Sequence, residues 1–164
     1  MLKGSIPAAL AMTLIAATAP APANANDEAS AKGATLHIEF SSVDPETGKI
    51  WVGVCTEEEM TTRYSEEDAR CSAERWVDAV EGVTVRFDAL APGTYAVTAF
   101  HDEDSNNQLD FDERGIPFEA TGNGNNAKGF YGPPTFDAMK FTLPSAADSS
   151  SPIRFNVRLY RVDK

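Results

Sequence analysis

The chain is poor in several things at once. Among its 164 residues there are two cysteines, two histidines, two tryptophans and 14 Lys+Arg, against 25 Asp+Glu. So few thiols exclude a disulfide-dense miniature scaffold and a zinc site of three or four cysteines. Two histidines leave little for imidazole catalysis or a histidine-based metal centre. The shortage of basic residues gives a net charge of −11, which excludes the basic footprint of a nucleic-acid binder. Long apolar runs are missing beyond the first 25 residues, so no later segment is expected to span a membrane.

The apolar stretch that does exist points to export. Lys3 gives a short basic start, Ala8 to Ala19 is almost wholly apolar, and Ala23-Asn24-Ala25 is a small-x-small cleavage site. That order is the pattern of a secretory signal peptide over residues 1–25, too short in its apolar part to span a bilayer well. The alternative is an alanine-rich tail with no targeting role. Residues 26–33 are small and polar and read as a flexible leader, with one folded domain over 34–164. Cys55 and Cys71 fall in the exported part, where an oxidising compartment makes a disulfide the default. Closing that short loop contributes about 3 kcal/mol. A metal pair or two buried thiols are the alternatives.

What the chain has in quantity is alternation with a period of two. It runs through Ala34–Ser41, Ile50–Cys55, Val83–Asp88, Met139–Leu143 and Ile153–Tyr160. Such segments are strands with one buried and one wet face, typical of antiparallel sheets. Thr94 to His101 is apolar on both faces and reads as a central strand. Asp44-Pro45-Glu46-Thr47-Gly48 is expected to close a hairpin between the first two strands, and Pro92-Gly93 to form a type II turn. Thr56-Glu57-Glu58-Glu59 has capping-box spacing and starts the one short helix, between the cysteines. Its acids read as a solvated face. The predicted fold is all-β: a single antiparallel β-sandwich of six or seven strands with one short helix and a long ordered loop.

The most specific local signal follows His101. With Asp102 as position 1, Asp104 is at 3, Asn106 at 5, Gln108 at 7, Asp110 at 9 and Glu113 at 12. That is the oxygen-ligand spacing of an EF-hand calcium loop, suited to a hard cation that takes six or more oxygens. Gln108 supplies a backbone carbonyl in this scheme, and Leu109 anchors the loop to the core. Asn107 stands at position 6, where glycine is usual, and must take a left-handed conformation there. A strand rather than a helix enters the loop. The alternative is a solvated, acidic hairpin tip without an ion. Residues Gly115 to Pro134 form a long irregular stretch. Its aromatics Phe118, Phe130 and Tyr131, with Phe136 just beyond, either pin it to the sandwich or, at Phe130 and Tyr131, line a ligand surface.

Several short motifs stand in a recognisable order: Leu90-Ala91-Pro92-Gly93-Thr94-Tyr95-Ala96-Val97, His101-Asp102-Glu103, Leu109-Asp110, Gly115-Ile116-Pro117 with Glu119, Asn125-Asn126-Ala127 and Gly132-Pro133-Pro134-Thr135-Phe136. In these the chain resembles the exported bacterial family known as domain of unknown function 2141, from about Leu36 to Tyr160. The family's acidic loop has the form H-D-E-N-x-N-G-x-L-D. Here Asp104 replaces its first Asn, which adds charge, and Asn107 replaces its Gly. The resemblance implies an exported β-sandwich and no established activity. The Pro-Gly-x-Tyr strand start is also similar to the turn in prealbumin-like modules, which supports a fold rather than a function.

The expected function is that of an exported, non-catalytic binding or structural module, periplasmic or extracellular and monomeric, with Ca2+ ordering its acidic loop and an envelope or extracellular ligand as partner. The competing class is a carboxylate-based envelope hydrolase using that loop and His101. Against it, no nucleophile elbow, zinc-protease or phosphate-loop motif is present. His101 is expected to be a hydrogen-bonded strand-end residue, and His37 an exposed residue on an edge-like first strand.

Overall fold

The computed structural model describes residues 33–63, 70–129, 132–145, 148 and 151–162. The expected signal peptide, nearly all of the polar leader, and Phe130 and Tyr131 lie outside the described residues. Among the described residues the fold is all-β, with eight strands in two sheets. In chain order they are β1 (Ala34–Ser41), β2 (Lys49–Cys55), β3 (Ala73–Asp78), β4 (Thr84–Leu90), β5 (Gly93–Asp102), β6 (Thr121–Asn123), β7 (Lys140–Leu143) and β8 (Ile153–Arg158). Helix α1 (Glu57–Arg63) joins β2 to β3.

One sheet has the order β4-β1-β8 and the other β3-β2-β5-β6, with β7 also paired to β5. The two sheets pack face to face through the apolar positions of the alternating strands. Leu36, Ile38 and Phe40 of β1 share a core with Ile50, Val52 and Val54 of β2 and with Val97 and Ala99 of β5. Each fully buried aliphatic or phenyl side chain of this kind contributes about 1.5–3 kcal/mol.

The second sheet is covered on both faces. Trp51, Cys55, Met60, Cys71, Ala96, Phe100 and Met139 form a separate cluster on its outer side. α1 supplies Met60, and Arg63 stacks its guanidinium 4.1 Å from the centre of the Trp51 ring. β2 is therefore buried from Ile50 to Cys55, not half wet. Its alternate positions, Trp51, Gly53 and Cys55, hold no charged side chain, which is why a covering layer can form. A Cβ on Gly53 would lie 2.5 Å from the Trp51 ring and 2.9 Å from Cys71 Sγ.

Four local expectations are corrected. Asp44–Gly48 closes no hairpin, because β1 and β2 belong to different sheets. Both strands have an apolar face, and the link crosses the sandwich so that these faces meet. Glu81 holds the start of the crossing by accepting the N–H groups of Ser42 (3.2 Å) and Val43 (2.8 Å). Second, the sandwich is not wholly antiparallel: β8 runs parallel to β1, Leu36 opposite Ile153 through Ser41 opposite Arg158. Period-two alternation reports a half-buried strand and is blind to its direction. Third, β1 is the middle strand of its sheet, so His37 does not sit on an edge. Fourth, Gly93 is not in the left-handed region, and the positive φ at that corner belongs to Ala89 (57°). Gly93 is instead close to the Tyr95 ring, where a Cβ would come within 3.2 Å. The Tyr95 hydroxyl donates to Ala91 O at 3.0 Å and fixes the corner.

Candidate functional site

The acidic loop grows out of the end of β5. Asp102 is the last residue of that strand and is fully buried. Its two carboxylate oxygens accept the N–H groups of Asn106 (3.0 Å) and Asn107 (2.9 Å), coiling the loop back over the strand end. Asp104 Oδ1 accepts the same Asn106 N–H at 3.0 Å. The coil needs left-handed residues, and Ser105 (φ 62°) and Asn107 (φ 64°) supply them. Asn107 thus adopts the conformation expected at the glycine position of the loop. Asn106 Oδ1 accepts the Gln108 N–H at 2.7 Å, while its Nδ2 donates to Asp110 Oδ2 (2.7 Å) and Asp104 Oδ2 (3.2 Å). Leu109 packs against the Trp51–Phe100 cluster, which anchors the loop to the outer face of the sheet.

Beyond Asp110 the chain reverses. Phe118 N–H donates to Asp110 O and Asp112 N–H to Ile116 O, each at 2.9 Å. The Asp112 side chain closes the turn by accepting from the N–H groups of Arg114 and Ile116, both at 2.9 Å. Gly115 completes it at φ 76°. The backbone hydrogen bond from Ile116 and the guanidinium of Arg114 hold the Asp112 carboxyl below its usual range.

This reversal decides which acids meet. It leaves Glu113 exposed on the turn and returns Glu119, 7% exposed, beside the start of the loop. Glu119 accepts the Glu103 N–H at 3.0 Å and the Asp110 N–H at 3.4 Å. Carboxylate oxygens of Asp102, Asp104 and Glu119 then lie within 4.8 Å of one another. Burial pushes the Glu119 carboxyl up, and the charges of Asp102 and Asp104 push the same way against the two backbone hydrogen bonds.

Of the six residues read from the spacing, Asp102 and Asp104 stand in this cluster. Asn106 and Asp110 adjoin it through the Asn106 amide. Gln108 is exposed, tied to the loop by its N–H. Glu113 is outside the cluster, and Glu119 stands where a twelfth-position carboxylate was expected. Twelve-residue spacing assumes a continuous coil, which the turn at Asp112–Gly115 interrupts. That turn has a readable signal, Asp at its first position and Gly at its fourth, which sends the chain back toward Glu119.

His101 is fully buried, its Nε2 2.6 Å from Thr47 O, so it is a hydrogen-bonded strand-end residue. Its Nδ1 lies 3.9 Å from Glu103 Oε1, and Glu103 pairs with Arg161. Phe136 is half-buried against the outer cluster, whereas Phe118 is 45% exposed and does not pin the segment by burial.

The other acidic segment has a different construction. Cys55 and Cys71 form the disulfide, closing the loop that holds α1. The capping box is complete: Thr56 N–H donates to Glu59 Oε2 at 2.8 Å, and Glu59 N–H to Thr56 Oγ1 at 3.3 Å. Glu59 also accepts from the N–H and hydroxyl of Ser72, at 2.9 and 2.8 Å. Burial raises the Glu59 carboxyl, but the donors of Thr56 and Ser72 outweigh it and the net shift is downward.

Among the described residues, no helix is long and apolar enough to cross a membrane. No curated protein and no solved structure matches the chain. A family model does match, over residues 38–151, a span that takes in the acidic loop, β1 from Ile38 onward and every later strand except β8. The chain belongs to the bacterial family described as uncharacterized protein conserved in bacteria, DUF2141.

Proposed function

We propose that the protein is an exported, non-catalytic β-sandwich module whose acidic loop is ordered by Ca2+. The observation that carries this reading is the convergence of Asp102, Asp104 and Glu119 on one point. Three carboxylates so close repel one another, and a divalent cation removes the repulsion. The donor set is all oxygen, which suits calcium and not a thiophilic or imidazole-bound metal. Asp102 is oriented by backbone N–H groups, so one ligand is pre-positioned. Exchange of the Asn106 amide from its present contacts would add a further oxygen. An affinity of the order of 10⁻⁴ to 10⁻³ M, as in extracellular modules, fits this open loop.

Export rests on the amino-terminal signal pattern and fits a disulfide in the folded domain. The non-catalytic part rests on the histidines. His101 is sealed in the sandwich and bonded to Thr47 O, out of reach of a substrate. His37 lies in the opposite sheet from the acidic loop.

The test is a melt of the purified protein in calcium and in chelator, with a calorimetric calcium titration. A rise in Tm and a saturable heat, both lost in Asp104→Ala, are expected. An unchanged Tm together with no heat of binding overturns the reading.

A further inference from the structure

The sheet β4-β1-β8 turns one face to the core and the other outward. Apart from Ala89, every outward position on these strands carries a polar side chain. The strand register places His37 opposite Arg86 on one side and Arg154 on the other. Opposed residues share a face. Arg86, His37 and Arg154 therefore form a row across three strands, about 10 Å long at the Cα atoms. Arg158 adds another guanidinium two residues along β8 from Asn156.

Two guanidiniums thus flank one imidazole, and arginine does not discharge. The row is only partly answered from within the protein. Asp88 lies 2.7 Å from Arg86 Nε, and Glu39 is the other acid on this face. The Arg154 side chain is exposed and has no ion-pair or hydrogen-bond partner among the described residues. His37 Nε2 is shielded from solvent and has no hydrogen-bond partner among them either. In a chain of net charge −11, this is a place where cations gather and one of them stands unpaired.

We propose that this face binds an acidic polysaccharide, with its carboxylates seated along the Arg86–His37–Arg154 row. A guanidinium fork matches a carboxylate in two-point geometry. The neighbouring hydroxyl and amide side chains suit sugar hydroxyls. No leucine, isoleucine, valine, phenylalanine, tyrosine or tryptophan points outward here, so the face lacks the apolar anchors of a stable protein interface. It equally lacks the stacking rings of a single-strand nucleic-acid site. Repulsion from acids elsewhere on the molecule is screened beyond about 8 Å at physiological salt. The site is on the opposite sheet from the acidic loop and does not depend on calcium.

Polygalacturonate, a linear carboxylate polysaccharide, is the probe, titrated into the purified protein in chelator at low and at physiological salt. Saturable binding that weakens with salt is expected, with none to neutral dextran. Arg154→Glu should lower the affinity about tenfold or more, and Arg154→Lys by less, because charge survives while the fork is lost. Asp104→Ala should bind as the unaltered protein does, which separates this outcome from that of the calcium test. Circular dichroism confirms that the exposed-site variants remain folded. Absence of polygalacturonate binding at low salt, or Arg154→Glu binding with unchanged affinity, overturns the proposal. Binding to single-stranded DNA as tight as to polygalacturonate overturns the assignment to a glycan.

Discussion

Glu59 and Glu119 are the same residue type, both drawn in from the surface, and their carboxyls are shifted in opposite directions. Glu59 is surrounded by donors: the backbone N–H groups of Thr56 and Ser72 and the Ser72 hydroxyl. Glu119 also accepts two backbone hydrogen bonds, but its carboxylate faces those of Asp102 and Asp104. The difference teaches that local acid content is a poor guide to chemistry. Burial raises both carboxyls; the donors of Thr56 and Ser72 outweigh it at Glu59, whereas at Glu119 the two backbone hydrogen bonds do not, and the neighbouring carboxylates add to it. The first case builds a helix cap and uses up the charge. The second accumulates charge that only protons or a cation can relieve.

The comparison can be broken at its two ends. The largest effect is expected from Cys55→Ser with Cys71→Ser, which opens the 16-residue separation around α1. A loss of about 3 kcal/mol in urea denaturation is expected. It should be equal in calcium and in chelator if the two acidic regions are independent. They share one apolar cluster, since Leu109 packs on the group that holds both cysteines. A calcium response lost along with the disulfide would show that this cluster couples them. Next in size is Glu119→Gln. In chelator it should be at least as stable as the unaltered protein, because the repulsion at Asp102 and Asp104 is reduced. In calcium at a hundred times Kd it should forgo about 2.7 kcal/mol of ligand stabilisation, read as a lost Tm shift. A full shift in this variant removes Glu119 from the site.

The sandwich was legible because alternation reports burial directly. β1, β4, β5 and β8 follow their apolar positions, and the capping box starts α1 as its spacing demands. β3 was not legible. Ala73–Asp78 carries Glu74, Arg75 and Asp78 on an edge strand, with Trp76 39% exposed, so it lacks a clear buried face. β6 was hidden for another reason. Thr121-Gly122-Asn123 has no apolar side chain, and the buried Gly122 packs so close to β8 that a Cβ would meet Val157 Cγ1 at 2.7 Å. The start of the acidic loop could be read from the Asp102, Asp104 and Asn106 spacing. Glu119 could not be, because its place depends on backbone pairing between Asp110 and Phe118, which side-chain spacing does not encode.

Smaller effects sharpen the same contrast. Glu59→Ala should cost about 1–2 kcal/mol, since it removes a helix cap and leaves the Ser72 donors without their acceptor. The deficit should depend on pH in a definite direction. The Glu59 carboxyl is held below its ordinary value of 4.5, so its stabilisation is complete above that pH and is lost as pH falls through it toward the folded value. Urea midpoints of the two proteins should therefore converge on acidification. Midpoints that stay equally far apart would mean that the side chain stabilises by packing and not as a carboxylate.

Glu113→Ala carries the smallest expected effect and the sharpest distinction. Sequence spacing makes Glu113 the closing ligand of the loop, whereas the turn at Asp112 leaves it exposed and puts Glu119 in the carboxylate cluster. If the turn governs, Glu113→Ala changes stability by less than about 0.5 kcal/mol. It also leaves the calcium-dependent Tm shift intact while Glu119→Gln abolishes it. Should calcium instead unwind the turn and draw Glu113 inward, Glu113→Ala would lose the shift and Glu119→Gln would keep it. Measured side by side, the two variants decide whether backbone pairing or ligand spacing sets the composition of the site.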